Sequence, residues 1–489
     1  MRTASVVIVG GGVVGASVAY HLAAAGVRDI LILERGARPG EGSTGVATGG
    51  FRASFASAID VRLSLLAREG LRRFEEETGV DPEFVPAGYL WLATNAAEME
   101  ALRRALRVQH TEGLAESCEV GPEEIARLNP AVGRGARDGG PRRTARIERS
   151  EAGLASSPQR RGELDRGEDS SDMDSIPAAP VTSSGQGSAP HEIVGGLFCP
   201  TDGFMRPMKI LEGYLAAAQR RGVRVEWGIE VTGVKRSRSD ARPDDDTRGY
   251  PSSTRTRAAR SGGAPGSRSF GEGAEGPITV LETTRGPIAA GAVVNAGGAW
   301  AGVLAALAGI DLPVTPLRRQ VAVTEPFTGL PRTMPMTIFA GDGFHFRVRD
   351  GRVLLLWPDP PQAVTGPPRA GTPHDPFDTS VDPAWVEAVA AEARRRVPVL
   401  SSAAIDPAAC RAGLYEMSPD RHAILGPAPR CANLFLANGS SGHGVMHAPA
   451  LGRLLAEIMT TGAARSLDVT PLSPSRFTQG PVAESAELL

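Results

Sequence analysis

Three glycines near the start of the chain have the spacing of a nucleotide-binding turn. Gly10, Gly12 and Gly15 follow an apolar run at residues 6–9 and open a small-residue segment at 13–25. In such a turn the first glycine permits the bend, the second lets the backbone approach a pyrophosphate, and the third lets the helix pack closely on the strand. The helix N-terminus then attracts the phosphates. The pattern predicts a dinucleotide-binding βαβ unit.

An acidic residue stands where such a unit needs one. Glu34 ends the next predicted strand, 19 positions after Gly15. A carboxylate at this point accepts hydrogen bonds from an adenosine ribose. The residues predicted to hold the dinucleotide in this unit are Gly10, Gly12, Val14, Gly15, Glu34 and Arg35.

The elements that position these residues alternate between strands and helices. Strands are predicted at 6–9, 30–33, 89–93, within 223–234, within 278–294, and at 320–324, 344–348, 353–357 and 434–437. Helices are predicted at 13–25, 61–78, 98–108, 208–221, 301–308 and 449–459. A chain that begins and ends in strand–glycine–helix units, with strands between, predicts an α/β nucleotide domain interleaved with a sheet-based second domain.

Composition narrows the classes of protein and partner. Lys and Arg (53) nearly balance Asp and Glu (55), which argues against a nucleic-acid partner. The four cysteines have no metal-ligand spacing, so no metal site is expected, and their scatter favours a reducing, cytoplasmic compartment. The sequence has no apolar run of ~20 residues, so no transmembrane segment is expected.

Four further segments carry a resemblance to a known family. Residues 42–52, 293–300, 413–420 and 439–446 contain Gly-Ser-Thr-Gly, Asn-Ala-Gly-Gly-Ala-Trp, Gly-Leu-Tyr-Glu-Met-Ser-Pro-Asp and Gly-Ser-Ser-Gly-His-Gly. In this order they resemble the D-amino-acid-oxidase-like flavoproteins, in particular the branch of sarcosine oxidase and sarcosine/dimethylglycine dehydrogenase. The resemblance implies FAD, contacted additionally by Ser43, Thr44, Gly45, Thr48, Gly49, Gly50, Val231, Ala296, Gly297, Trp300, Gly413, Gly442, His443, Gly444, Val445 and Met446.

The resemblance also implies a domain plan. A Rossmann-like FAD-binding domain of the glutathione-reductase type would comprise 1–90, 191–235, 278–312 and 413–465, and a mixed β-sheet substrate domain 91–132 and 313–412. Stretches 133–190 and 236–277 are rich in Arg, Ser, Gly and Pro, lack apolar periodicity, and are predicted to be mobile insertions. Residues 466–489 are predicted to be a tail.

Two positions bear on how FAD is held. Covalent members of the family attach flavin through a histidine in the early loop or a cysteine in the later segment. The aligned positions here are Val46 and Gly413, and Cys410 lies three residues too early. The resemblance therefore implies non-covalent FAD.

Four residues are candidates for substrate contact. Arg52 aligns with a carboxylate-binding arginine of sarcosine oxidases, and its fork suits a carboxylate. Arg347, on a predicted substrate-domain strand, is the second candidate for the same role. His345 on that strand could contact substrate or act as a base. Tyr415 could cap the substrate face of the flavin.

The expected reaction is oxidation of the C–N bond of a small amino acid such as sarcosine, dimethylglycine or a proline-like compound. Hydride would pass to flavin N5, and the electrons would leave to O₂ or to an acceptor protein. Two alternatives stay open at this stage: a 2-hydroxy-acid dehydrogenase of the same superfamily, and a flavin-binding assembly or scaffold protein with little catalysis.

Overall fold

The computed structural model describes residues 1–132, 192–237, 276–358 and 377–478. In chain order, the strands of these residues are β1 Arg2–Val9, β2 Ile30–Glu34, β3 Gly50–Phe51, β4 Tyr89–Ala93, β5 Cys118–Val120, β6 Gly195–Cys199, β7 Gly203–Phe204, β8 Arg224–Trp227, β9 Val231–Arg236, β10 Ile278–Thr283, β11 Ile288–Asn295, β12 Thr315–Val323, β13 Met336–Phe339, β14 His345–Arg349, β15 Arg352–Leu356, β16 Arg411–Met417, β17 Ile424–Ala428 and β18 Cys431–Asn438. The helices are α1 Val13–Ala24, α2 Ser43–Val46, α3 Ala58–Arg72, α4 Phe74–Thr78, α5 Ala96–Thr111, α6 Pro122–Leu128, α7 Pro207–Arg220, α8 Ala301–Leu307, α9 Pro383–Arg396 and α10 Gly444–Thr461.

The first sheet is the nucleotide-binding layer. Its strands lie in the order β17-β18-β11-β1-β2-β8, with β10 paired to β11 and β9 to β10. The strands from β18 to β8 run parallel. Parallel strands are covered on both faces, which explains why residues 30–33 of β2 are apolar and buried throughout.

Small residues let the helices beside this sheet approach one another. A Cβ on Gly452 of α10 would lie 2.1 Å from Ser17 Oγ of α1. The same hydroxyl donates to the carbonyl of Ala448 at 2.7 Å. Helix α1 is therefore locked against α10, and the glycine turn before α1 is fixed relative to the loop before α10.

The second sheet is mixed and lies in the order β16-β12-β15-β14-β13-β4-β6-β5. Only β13 and β4 run parallel within it, and the other neighbours are antiparallel. Strands β3 and β7 form a separate two-stranded ribbon. The two large sheets confirm the predicted fold class, an α/β nucleotide domain interleaved with a mixed-sheet domain.

Several predicted boundaries differ from the structure. Strands β4, β6 and β16 all belong to the second sheet. The predicted domain boundary at 90/91 cuts through β4, and the predicted boundary at 412/413 cuts through β16. Strand β6 lies inside the segment 191–235, which was predicted to belong to the FAD-binding domain. Alternating apolar residues show that a strand is half-buried, but they do not show which sheet it joins. The predicted insertion 133–190, nearly all of 236–277 and the end of the tail lie outside the described residues.

Two predicted helices also differ. The segment 61–78 is two helices, α3 and α4, broken at Arg73. The last helix begins at Gly444, not at Pro449, which lies inside it. Proline favours the first turn of a helix, so the sequence placed the start too late. No helix of the described ranges is long and apolar enough to cross a membrane.

Candidate active site

A continuous cavity of about 1640 Å³ runs from the glycine turn after β1 to the second sheet, where residues of β12, β14 and β16 line it. Every residue predicted to contact the cofactor lines it, except Gly15 and Gly45. Of the four predicted substrate residues, Arg52, His345 and Tyr415 line it and Arg347 does not. The structure therefore brings most of the predicted cofactor and substrate residues to one cavity, and Gly15, Gly45 and Arg347 do not line it.

The three glycines of the turn after β1 differ in what surrounds them, and two of them are tightly packed. Gly10 has a φ of 116°, and a Cβ there would lie 2.2 Å from the carbonyl oxygen of Ala296. A Cβ on Gly15 would lie 2.0 Å from the carbonyl oxygen of Gly10. These two glycines are required by the packing of the chain itself, which is why Gly15 faces the strand and not the cavity.

Gly12 is different, because nothing in the protein requires it. A Cβ at this position would meet only Thr44 Oγ1, at 3.5 Å. Gly12 caps the N-terminus of α1 and lines the cavity. The space kept open here, at the N-terminus of a helix, fits a pyrophosphate.

The carboxylate of Glu34 lines the same end of the cavity as the glycine turn and is held by backbone groups. Its two oxygens accept from the backbone N–H groups of Gly11 and Gly36, each at 2.7 Å. The guanidinium of Arg35 lies 3.9 Å from the ring centroid of Trp300, so two predicted nucleotide residues contact each other across the cavity.

The loop from Ser43 to Gly50 joins the two ends of the cavity. Ser43 Oγ donates to the carbonyl of Leu414 at 2.7 Å, and the N–H of Val13 donates to Thr44 Oγ1 at 3.2 Å. A Cβ on Gly45 would lie 1.9 Å from the carbonyl oxygen of Gly40. Gly45 thus packs against the backbone of the loop, and it does not line the cavity.

Arginines support the same loop from outside, and Arg347 is one of them. Its guanidinium donates to the carbonyl of Thr48 and lies 3.9 Å from the ring centroid of Phe204. Arg349 donates to the same carbonyl at 3.2 Å, and Arg411 to that of Val46 at 3.0 Å. Burial lowers the pKa of Arg347 to about 9. The prediction that Arg347 could anchor substrate is corrected, because the side chain is directed at the loop backbone.

Arg52 lies where an anchor should be. It is 7% exposed, lines the cavity and lies over the ring of Phe55, 3.9 Å from the centroid. Its Nη2 is 3.2 Å from Nε2 of His443, the residue before α10. A guanidinium only donates, so the imidazole nitrogen accepts. Burial, and then the charge of Arg52, hold the pKa of His443 well below its usual range. The two predicted residues therefore form one unit.

Asp202 fixes the segment that carries Arg52. It is fully buried and accepts from the N–H groups of Ala53 at 2.7 Å and Ser54 at 3.3 Å and from the hydroxyl of Ser54. Burial raises its pKa to about 6. The sequence showed only an Asp-Gly turn here, and nothing in the local pattern links position 202 to position 53.

His345 and Tyr415 face the cavity from the second sheet. Nδ1 of His345 is 2.7 Å from the carbonyl oxygen of Gly343, so Nδ1 carries the proton and Nε2 is the acceptor. Burial, together with the charges of Arg52 and Arg319, lowers the pKa of this imidazole to about 4. The ring is neutral at physiological pH. Tyr415 packs so closely on Gly442 that a Cβ there would lie 2.4 Å from its ring.

Glu416 was not among the predicted site residues. Oε2 of Glu416 and Oγ of Ser440 are buried without a hydrogen-bond partner among the described residues, and both side chains line the cavity. A Cβ on Gly444, the first residue of α10, would lie 3.8 Å from Glu416 Oε1. Burial raises the pKa of this carboxyl to about 7. Unsatisfied polar groups at a helix N-terminus fit a polar ligand edge.

The positions aligned with covalent attachment lie against each other. A Cβ on Gly413 would be 2.5 Å from Cγ2 of Val46. Other residues that line the cavity but were not predicted include Tyr89, Trp91, Arg319 and Trp357. In the part of the chain that the structure describes, no group of three or more His, Cys, Asp or Glu side chains could hold a metal.

Comparison with known proteins defines the class. The family model described as FAD dependent oxidoreductase matches residues 5–458, and the chain belongs to this family. It is an FAD-dependent oxidoreductase, and the glycine turn, the open space at Gly12 and the unsatisfied groups beside α10 suit a bound cofactor.

Individual relatives share less than a third of their aligned residues with this chain. The chain is 28% identical over 515 residues to the FAD-dependent oxidoreductase domain-containing protein 1 of Bos taurus, covering 98% of this chain and 86% of that protein. It is 26% identical to the mitochondrial dimethylglycine dehydrogenase of Rattus norvegicus, covering 97% of this chain but 45% of that protein. Among solved structures, L-proline dehydrogenase from P. horikoshii superposes with a TM-score of 0.70 at 22% identity, over 99% of this chain and 100% of that one.

Proposed function

We propose that the protein oxidises the C–N bond of a small amino acid, with a secondary or tertiary amine such as sarcosine, dimethylglycine or a proline-like compound as substrate. The observation that carries the proposal is the buried guanidinium of Arg52, which lines the cavity and contacts His443. A buried cation next to a cofactor cavity suits the carboxylate that all amino acids share. The names of the dimethylglycine dehydrogenase and proline dehydrogenase relatives agree with this substrate class.

Each residue has a role in orienting the substrate. FAD supplies the hydride acceptor when bound. Arg52 holds the carboxylate through two parallel charged hydrogen bonds, and His443 holds the guanidinium in place. Nε2 of His345 accepts a hydrogen bond from the N–H of a secondary amine such as sarcosine or proline, whereas a neutral tertiary amine has no such proton to donate. Tyr415 limits the space above the substrate. Fixing the reacting carbon in this way is where the protein contributes to rate.

The protonation state of His345 favours an amine over a 2-hydroxy acid. An alcohol must lose its hydroxyl proton as it is oxidised, which calls for a base with a pKa near the working pH. The imidazole of His345, with a pKa of about 4, is a weak base. An amine that binds in its neutral form needs no such base.

An anaerobic screen tests the substrate class. Sarcosine, dimethylglycine and proline are each mixed with the FAD-loaded protein without oxygen, and the flavin absorbance near 450 nm is followed. We expect at least one amine to bleach the flavin, and lactate and 2-hydroxyglutarate to leave it oxidised. Bleaching by the hydroxy acids alone would assign the 2-hydroxy-acid reaction, and bleaching by none would favour the scaffold alternative.

We also propose that FAD is bound without a covalent link, since neither Val46 nor Gly413 offers a nucleophile. Acid precipitation should leave all the FAD in the supernatant, as measured by its absorbance. A yellow pellet would contradict the proposal and point to Cys410, which is half-buried. The electron acceptor, O₂ or a partner protein, and the cytoplasmic location stay predictions; the dimethylglycine dehydrogenase relatives are mitochondrial by name.

A further inference from the structure

We propose that Arg319 forms a second anion-binding subsite in the cavity, so that the preferred substrate is an amino acid with a second acidic group. The inference rests on the proposed function, in which Arg52 holds the first carboxylate. It extends that function from small amino acids in general to a dianionic subclass.

The register of the second sheet places Arg319 on the substrate side. Arg319 on β12 pairs with Gly413 on β16, and two residues away Leu317 pairs with Tyr415. Residues opposite each other in an antiparallel pair share a face of the sheet, and residues two apart on a strand do so as well. Arg319 and Tyr415 therefore lie on one face, and both line the cavity.

Arg319 has no hydrogen bond or ion pair with any residue in the described ranges. The neighbouring Arg318 is the contrast, because it donates to Asp378 and to the carbonyl of Ser380. Arg319 is half-buried, and a guanidinium that lines a cavity can bind an anionic group through charged hydrogen bonds. An acidic ligand group would supply the missing acceptor for Arg319.

Five acidic residues of the described ranges line the same cavity, and none has a recorded contact with Arg319: Glu34, Glu41, Glu230, Asp342 and Glu416. Asp342 accepts from both terminal nitrogens of Arg396, at 2.9 and 2.5 Å, and from Trp357 Nε1 at 3.1 Å. Glu416 lies at the N-terminus of α10, where a Cβ on Gly444 would be 3.8 Å from its Oε1. Glu34 is held by Gly11 and Gly36 at the nucleotide end.

Both cations act on the same pair of residues. After burial, which raises the pKa of Tyr415, the charges of Arg319 and Arg52 lower it, and the same two charges lower the pKa of His345. Arg52 and Arg319 thus both lie within electrostatic range of His345 and Tyr415. A substrate with a single carboxylate held by Arg52 leaves Arg319 without an acidic partner among the described residues, whereas a dicarboxylate supplies one.

A binding experiment separates this subsite from catalysis. Diglycolate and methoxyacetate are ether acids without a C–N bond, and they differ by one carboxylate. Each is titrated into the FAD-loaded protein, and the dissociation constant is taken from the change in the flavin spectrum. We expect diglycolate to bind about tenfold or more tightly than methoxyacetate, the gain of one charged hydrogen-bonded pair.

Two variants on the same strand decide which arginine is responsible. Arg319→Met should reduce the preference to about twofold or less, because the second carboxylate loses its partner. The matched control, Arg318→Met, removes a charge one residue away that is bound to Asp378, and should leave the preference unchanged. Equal binding of the two acids by the wild type, or a preference that survives Arg319→Met, would overturn the subsite.

A second readout separates this inference from the proposed function. If sarcosine bleaches the flavin and the diglycolate preference is absent, the subsite is wrong and the amino-acid oxidation stands. If the preference depends on Arg319 and no amino acid bleaches the flavin, the subsite stands as a dicarboxylate site and the proposed reaction fails.

Discussion

The two ends of the cavity are built by different means. At the nucleotide end, backbone groups and closely spaced glycines set the shape of the site, with Gly10 and Gly15 packed against carbonyl oxygens. At the other end, side chains from separate elements meet: Arg52 from the loop after β3, His443 before α10, and Arg319 and His345 from the second sheet. A backbone site is encoded by local spacing, whereas a side-chain site depends on how distant segments pack.

Gly12→Val is the variant expected to have the largest effect, and it tests the nucleotide end. A valine side chain would fill the space beside the N-terminus of α1, while the nearest protein atom to a Cβ is 3.5 Å away. FAD affinity should fall by about a hundredfold or more, because the pyrophosphate loses its close approach to the backbone. Circular dichroism should show an unchanged fold, and flavin fluorescence measures the binding.

Gly15→Val is the matched comparison. Its Cβ would lie 2.0 Å from the carbonyl oxygen of Gly10, so this variant should disturb the fold itself as well as FAD binding. If Gly12→Val binds FAD normally, the open space at Gly12 does not belong to the cofactor.

The other end of the cavity should show a pH dependence that the nucleotide end lacks. The pKa of Glu416 is raised to about 7 in the folded protein, from an ordinary value of 4.5. A raised folded pKa gives stability that is complete below the unfolded pKa and is lost as pH rises through the folded one. Glu416→Gln mimics the neutral acid at every pH.

Thermal unfolding of the FAD-free protein measures this effect. Wild type and Glu416→Gln should have the same Tm near pH 5, and at pH 8.5 the wild type should unfold roughly 2–4 °C lower. Asp202, whose pKa is also raised, is present in both proteins and cancels in the difference. A difference in Tm that does not change between pH 5 and 8.5 would show that Glu416 is ionised throughout.

Elements marked by a local sequence pattern were predicted well, and elements without such a pattern were not. The strand at Tyr89–Ala93, helix α8 and the first βαβ unit were predicted closely, because each is a local pattern. Helix α9 and strand β13 were not predicted, since short amphipathic or apolar segments outside a motif carry weak signals.

The substrate end of the cavity shows most clearly what the sequence alone could not predict. From the sequence, Arg52 was the first candidate and Arg347 the second candidate for the carboxylate anchor, yet the structure directs Arg347 at the carbonyl of Thr48. The support of Arg52 by Asp202, about 150 positions away, and the pairing of Arg319 with Gly413 depend on sheet register. No local pattern contains that information.

The central claim is that Arg52 binds the substrate carboxylate while the cofactor is held by other residues. Its most direct test is the rate of anaerobic flavin reduction by the best amine substrate in wild type, Arg52→Met and Arg52→Lys. We predict that Arg52→Met keeps the flavin spectrum and loses about ten- to a few-hundred-fold in the second-order rate of reduction, and that Arg52→Lys recovers part of it. An unchanged rate in Arg52→Met, or a variant that no longer holds FAD, would contradict the claim.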